Sequence, residues 1–253
     1  MAQQATPVRS ARLGRALGPE PTAVSAVVLL LPGGDETSHR KPSPMLATAS
    51  VRALGRRLLR AGRDEGLAAH VVHYRYRGWN GADADLAHDA QWAAEEVVRR
   101  YGDVPICLAG FDMGGRAALH AAGHEAVNSV LAIAPWLPEE AAAAGSPEPV
   151  KQLVGRRVLL VHGTYDERTD PELSFRLAAR AKKSNRDVCR FEVHGDRHGL
   201  HQYRDEVLAL SVDFVMGALF GKAFARPVRD ALAAPPPLGL RMPLASGFGK
   251  AYR

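Results

Sequence analysis

The chain has 253 residues, 46% of them hydrophobic and 24% charged, a balance that excludes a disordered polymer and allows a sizeable buried core. Net charge is +6, yet the arginines fall toward the chain ends and on one helical stretch (Arg56, Arg57, Arg60, Arg63). They form no stripe interleaved with aromatics, which argues against a nucleic-acid partner. The longest apolar run, Ala26–Leu31, is too short to span a bilayer, and no basic, apolar leader follows Met1.

Taken in chain order, residues 1–20, rich in Ala, Arg and Gln, read as an N-terminal tail, and 21–221 as one domain. The first apolar run, Val24–Leu31, is followed by a helical stretch over about 44–65. Further strand-like runs are Ala68–Tyr74, Val104–Ala109, Ser129–Ala134, Val158–His162 and Val188–Val193. They are nearly continuous in Val, Leu, Ile and Ala, as strands covered on both faces are. Helical stretches over 84–101, 113–123, 170–183 and 201–220 alternate with them. In the fourth helix Thr169 or Asp170 can cap the N-terminus, with Pro171 in the first turn. Gly221 stops the fifth, and 222–253, with Pro235-Pro236-Pro237, repeated glycines and basic residues, reads as a C-terminal tail. Such alternation predicts an α/β fold: a mostly parallel central sheet of about six strands, with helices on both faces. Ligands then bind at the carboxyl ends of the strands. Cys107 and Cys189 each lie within an apolar run, predicting reduced, packed thiols and a cytoplasmic setting.

The third predicted strand leads into Ala109-Gly110-Phe111-Asp112-Met113-Gly114-Gly115. Glycines around a strand-to-helix turn remove side chains that would collide there, and the turn thrusts its central side chain into a pocket. It also leaves the Met113 N–H at a helix N-terminus, where it can meet developing negative charge. Gly163-Thr164-Tyr165-Asp166 follows the strand Val158–His162, and His194-Gly195-Asp196-Arg197-His198-Gly199-Leu200-His201 follows the last strand. These three sites, in the order nucleophile, acid, histidine, resemble the α/β-hydrolase superfamily, with aspartate where the G-x-S-x-G elbow carries serine. The resemblance covers about 24–220 and implies Asp112 at the elbow, Asp166 as acid and His198 as histidine. It also implies an oxyanion hole at Met113 and Gly34, the latter in Leu31-Pro32-Gly33-Gly34, where Pro32 replaces a frequent histidine.

Each residue has a rival role: Asp112 as a helix cap, Asp170 as the acid, His194 or His201 as the histidine. Trp79, Asn80, Trp136 and His39 are candidate pocket residues, with packing and turn formation the alternatives for the first three. The histidines show no metal-ligand spacing, so neither metal nor other cofactor is expected. The expected partner is a small-molecule substrate, with no membrane and no nucleic acid. The run Tyr74–Gly81 resembles small actinobacterial α/β hydrolases.

A carboxylate needs no base to become a nucleophile. Attack on an ester carbonyl would give a mixed anhydride, whereas attack on a saturated carbon gives an ordinary ester that histidine-activated water can hydrolyse. Haloalkane dehalogenases and epoxide hydrolases of the superfamily use an elbow aspartate in this way. They also carry a sizeable cap that supplies leaving-group partners; here only Trp136 to Gly155 separates the two strands, so the cap is minimal and water exclusion and leaving-group activation must come from elsewhere. The leading expectation is a hydrolase of a small organic substrate with an Asp112–His198–Asp166 triad. The alternatives are an ester, lactone or thioester hydrolase akin to dienelactone hydrolases, and a non-catalytic binding descendant of the fold.

Overall fold

A computed structural model describes residues 9–42, 48–139 and 148–250. Six parallel strands form the middle of one sheet: β2 (Ala26–Leu31), β3 (Leu67–His73), β4 (Ile106–Phe111), β5 (Val127–Ile133), β6 (Arg157–Gly163) and β7 (Val188–Val193). Two-residue strands close the edges, β1 (Arg12–Leu13) antiparallel to β3 and β8 (Met242–Pro243) parallel to β7. The spatial order is β1-β3-β2-β4-β5-β6-β7-β8.

Alternation along the strands splits the core into two layers, because successive side chains leave opposite faces. From β2, Val27, Leu29 and Leu31 enter one layer, with helices α2 (Asp85–Tyr101), α3 (Met113–Ala121) and α4 (Pro171–Lys182). Ala26, Val28 and Leu30 enter the other, with α1 (Ala49–Ala61), α5 (Arg204–Phe220) and α6 (Arg226–Ala233). All six residues are fully buried, which is why the strand reads as a continuous apolar run. Cys107 and Cys189 are free and buried, and burial pushes each thiol up to about 12. No described helix is long and apolar enough to cross a membrane.

Helix ends follow their capping chemistry. Asp170 accepts from the Glu172 N–H at 2.9 Å and caps α4, while Gly221, at φ 67°, ends α5. The first expected helix, 44–65, is shorter: residues 43–47 lie outside the described residues, and the chain turns at Gly62.

The stretches expected as tails contribute structure. Leu17 bridges to Ala69 beside β1. Beyond Gly221 come α6 and β8, with Val228 and Leu240 fully buried. The reason lies in α5, which is apolar on every side, with Val207, Leu208, Leu210, Phe214, Val215 and Met216 all buried. One sheet face cannot cover such a helix, so the returning chain covers the rest. Phe224 stacks on Phe214 at 6.3 Å, and the Ala225 N–H donates to Asp213 Oδ1 at 2.9 Å. Gly217 allows this: a Cβ there would lie 2.2 Å from Phe224.

Candidate active site

The turn from β4 to α3 places Asp112 at φ 55°, ψ −124°, a strained conformation for a residue with a side chain. Its neighbours permit the turn only as glycines. A Cβ on Gly110 would lie 2.1 Å from the Gly114 carbonyl oxygen, and one on Gly114 equally close to that of Leu31. Backbone bonds hold the corner: the Asp112 N–H donates to Ile133 O at 3.0 Å, and its own carbonyl accepts from Gly115 at 2.9 Å and Trp136 at 3.2 Å.

The acid and histidine loops are pinned to each other at the carboxyl ends of β6 and β7. The Tyr165 N–H donates to Asp196 O at 2.9 Å, and the Gly195 N–H to Thr164 Oγ1 at 3.0 Å. This brings His198 between the two aspartates. Its Nδ1 donates to Asp166 Oδ2 at 2.7 Å, and its Nε2 lies 3.4 Å from Asp112 Oδ1. The buried Asp112 Oδ1 has no fully formed hydrogen bond among the described residues, so the contact with His198 is a loose ion pair. Burial alone would lower the imidazole pKa, but the contacts with Asp112 and Asp166 outweigh it and raise it to about 9.

Asp166 is held by four donors. His162 Nε2 (3.0 Å) and His198 Nδ1 reach Oδ2, while the Arg168 and Thr169 N–H groups reach Oδ1 at 2.9 and 3.1 Å. Burial opposes its charge, yet these donors win and hold the carboxyl well below the usual carboxylate range. His162 is fully buried, and burial lowers its pKa, leaving it neutral at neutral pH. With its Nε2 proton on Asp166, its bare Nδ1 accepts from the Ser174 hydroxyl at 2.8 Å. Arg190 Nη2 then serves the nearby Pro171 carbonyl at 3.0 Å.

His162 and Arg168 are functional candidates that the motifs did not single out. Arg168 Nη2 lies 3.1 Å from Asp112 Oδ2 and 3.4 Å from the Gly34 carbonyl oxygen. His162 stands four residues before Asp166, a spacing that could have signalled the pair.

The remaining candidates divide. Met113 begins α3 directly after Asp112. Gly33 borders the carboxylate, its Cβ position lying 3.0 Å from Asp112 Oδ2, while a Cβ on Gly34 would point at Arg77 O and Leu86. Trp136 lines a groove of about 500 Å³ together with Glu36, Leu137, Asp166, Arg168 and Asp170. Trp79 is buried, with the Arg116 guanidinium 3.8 Å from its ring centroid and His120 edge-on at 4.8 Å, as in the packing alternative. Asn80 shapes a turn, at φ 63°, accepting from the Ser38 N–H and donating to Asp85 Oδ2, each at 2.8 Å. His39 is exposed and packs edge-on against Tyr76 at 5.3 Å. Of the rival histidines, His194 is exposed beside Glu192 and His201 packs on Gly199. Asp170 serves as the cap described above.

Among the described residues, one group could hold a metal: His39, Asp83 and Asp85, whose ligand atoms lie within 4.8 Å of one another. Asp85 already accepts from Asn80 and, at 3.2 Å, from Arg75, so this carboxylate is committed to holding the turn.

No family sequence model matches the chain, and a search of curated proteins finds no match. Solved structures do resemble it. TT1662 from Thermus thermophilus has a TM-score of 0.61 at 17% identity, over 84% of this chain and 99% of that one. Est1E from Butyrivibrio proteoclasticus, solved with ferulic acid bound, has a TM-score of 0.57 at 14% identity, covering 82% and 95%. XC6422 from Xanthomonas campestris, an α/β serine hydrolase without a lid, has a TM-score of 0.55 at 18% identity, covering 82% and 89%. The fold is therefore the α/β-hydrolase fold.

Proposed function

We propose that the chain is a hydrolase in which Asp112 attacks a saturated carbon of a small organic substrate and His198, oriented by Asp166, drives hydrolysis of the resulting ester. The observation that carries this reading is the position of His198, 2.7 Å from Asp166 and 3.4 Å from Asp112 on its strained elbow. An Asp112 oxygen forms a bond to carbon while the bond to the leaving group breaks, its electron pair departing with that group. Esterification removes one of the two negative charges that raise the His198 pKa, so the imidazole can release its proton. It then takes a proton from water as that water attacks the Asp112 carbonyl carbon. The N–H groups of Met113 and of the Gly33-Gly34 segment are the candidate donors to the oxyanion. Collapse passes the His198 proton to the departing alcohol, and the proton left on the new carboxyl returns to His198, regenerating the Asp112 carboxylate with one oxygen from water.

Single turnover in heavy-oxygen water tests this directly. The peptide containing Asp112 gains label in its carboxylate; an unlabelled peptide after product formation excludes the nucleophile role.

Ester hydrolysis, with Asp112 positioning water rather than attacking, is a second reading, favoured by the likeness to a ferulate-bound Est1E and a lidless serine hydrolase. Activity on short acyl esters that disappears in Asp112→Ala and rises in Asp112→Ser supports it over the first.

A further inference from the structure

Attack by a carboxylate on a saturated carbon moves a negative charge from the nucleophile to the leaving group. The leaving group then needs a positive partner, and the short β5–β6 connection offers little chain to supply one. Arg168 is the guanidinium that the acid loop brings against Asp112. It follows Asp166 in the acid loop, and its half-exposed side chain lines the groove beside Trp136 and Leu137. Only Nη2 is engaged among the described residues, with Asp112 Oδ2 at 3.1 Å and Gly34 O at 3.4 Å; Nε and Nη1 have no side-chain partner there.

We propose that Arg168 is a catalytic anion-binding residue: it pairs with Asp112 in the resting enzyme and with the leaving group once Asp112 has become an ester. The inference rests on the reading of Asp112 as nucleophile. Charge is conserved locally through the step. The carbon–oxygen bond forms, the carbon–leaving-group bond breaks with its electron pair, and Arg168 exchanges one anion for the other. The proton shed by His198 accompanies the anion as the net acid product.

This assignment narrows the substrate class. A guanidinium does not give up its proton in proteins, so Arg168 can stabilise an anion but cannot protonate one. An epoxide oxygen would leave as an alkoxide that needs a proton. The Tyr74 phenol, close enough to Asp112 to feel its charge, is buried and donates to the Pro32 carbonyl at 3.3 Å. Arg168 itself therefore suits a leaving group that is a stable monoanion, such as a halide, whereas an epoxide would have to draw its proton from the His198 imidazolium. Exposed Glu36, Glu167 and Asp170 border the same groove and would oppose retention of the released anion.

Bromide binding tests the role without turnover. In the wild-type protein Asp112 occupies Arg168, so bromide binds weakly. Asp112→Asn mimics the uncharged ester, and calorimetric bromide affinity should rise by about tenfold or more, the scale of one charged hydrogen bond. The gain disappears in Asp112→Asn/Arg168→Met and is partly kept in Asp112→Asn/Arg168→Lys, with thermal unfolding confirming that each variant is folded. No gain in Asp112→Asn, or a gain that survives in the methionine variant, overturns the assignment. If label enters Asp112 in heavy-oxygen water while bromide affinity stays unchanged, Arg168 loses its role and the nucleophile stands. If no label enters, both fall.

Discussion

Asp112 and His198 depend on each other electrostatically, which gives a measurable signature. The loose ion pair with Asp112 is one of two contacts that raise the His198 pKa to about 9. Asp112→Asn removes that charge, so an NMR titration of the His198 ring should give a pKa below 9. An unchanged midpoint would mean that Asp166 alone sets it. At this scale the motifs were informative where loop order alone decides the outcome: Asp112, Asp166 and His198 meet as expected because each follows a strand end on the same sheet edge. Arg168 and His162 were not legible, since their roles depend on side chains reaching across loops. For Trp79 the sequence leaves pocket wall and packing side by side. A Gly-Trp-Asn-Gly turn at a strand's carboxyl end suggests a pocket wall, but Arg116 and His120 surround the indole.

Among elements, α5 makes the strongest claim on stability. Its Phe214 needs a cover that Phe224 supplies, and Phe224→Ala should cost about 2 kcal/mol in denaturant unfolding, less than a fully buried phenylalanine because its ring is partly exposed. Truncation after Gly221 strips α6 and β8 as well, and should yield a protein that aggregates or melts much earlier. A truncated chain as stable as the whole would show that this cover is dispensable. The six central strands were readable because burial on both faces leaves a near-continuous apolar signature. Edge strands β1 and β8 were not, for two residues carry no period. The apolar circumference of α5 was the available clue that 222–250 would pack, outweighed by the proline and glycine content of that stretch.

Across the molecule, two groups of the site give stability a pH window. The His198 pKa is raised from its ordinary 6.5 to about 9, so its contribution is full below 6.5 and is lost as pH rises from there through 9. Asp166 is depressed below its ordinary 3.8, so its contribution is full above that value and is lost as pH falls below it. The thermal midpoint should therefore be highest between about pH 4 and 6.5, and the alkaline decline should be shallower in His198→Gln. A wild-type midpoint flat from pH 6.5 to 9 would contradict the charge pairing assigned to the site.

The two short edge strands bear on how this molecule meets others of its kind. A parallel sheet that ended at β3 and β7 would present rows of unpaired amides, a template for a neighbouring chain. β1 occupies one row by running against the grain of the sheet. β8 covers the other beside Phe191 and Glu192 and ends in Pro243, which has no N–H to offer a further strand. Growth of the sheet from chain to chain is thus disfavoured at both sides among the described residues.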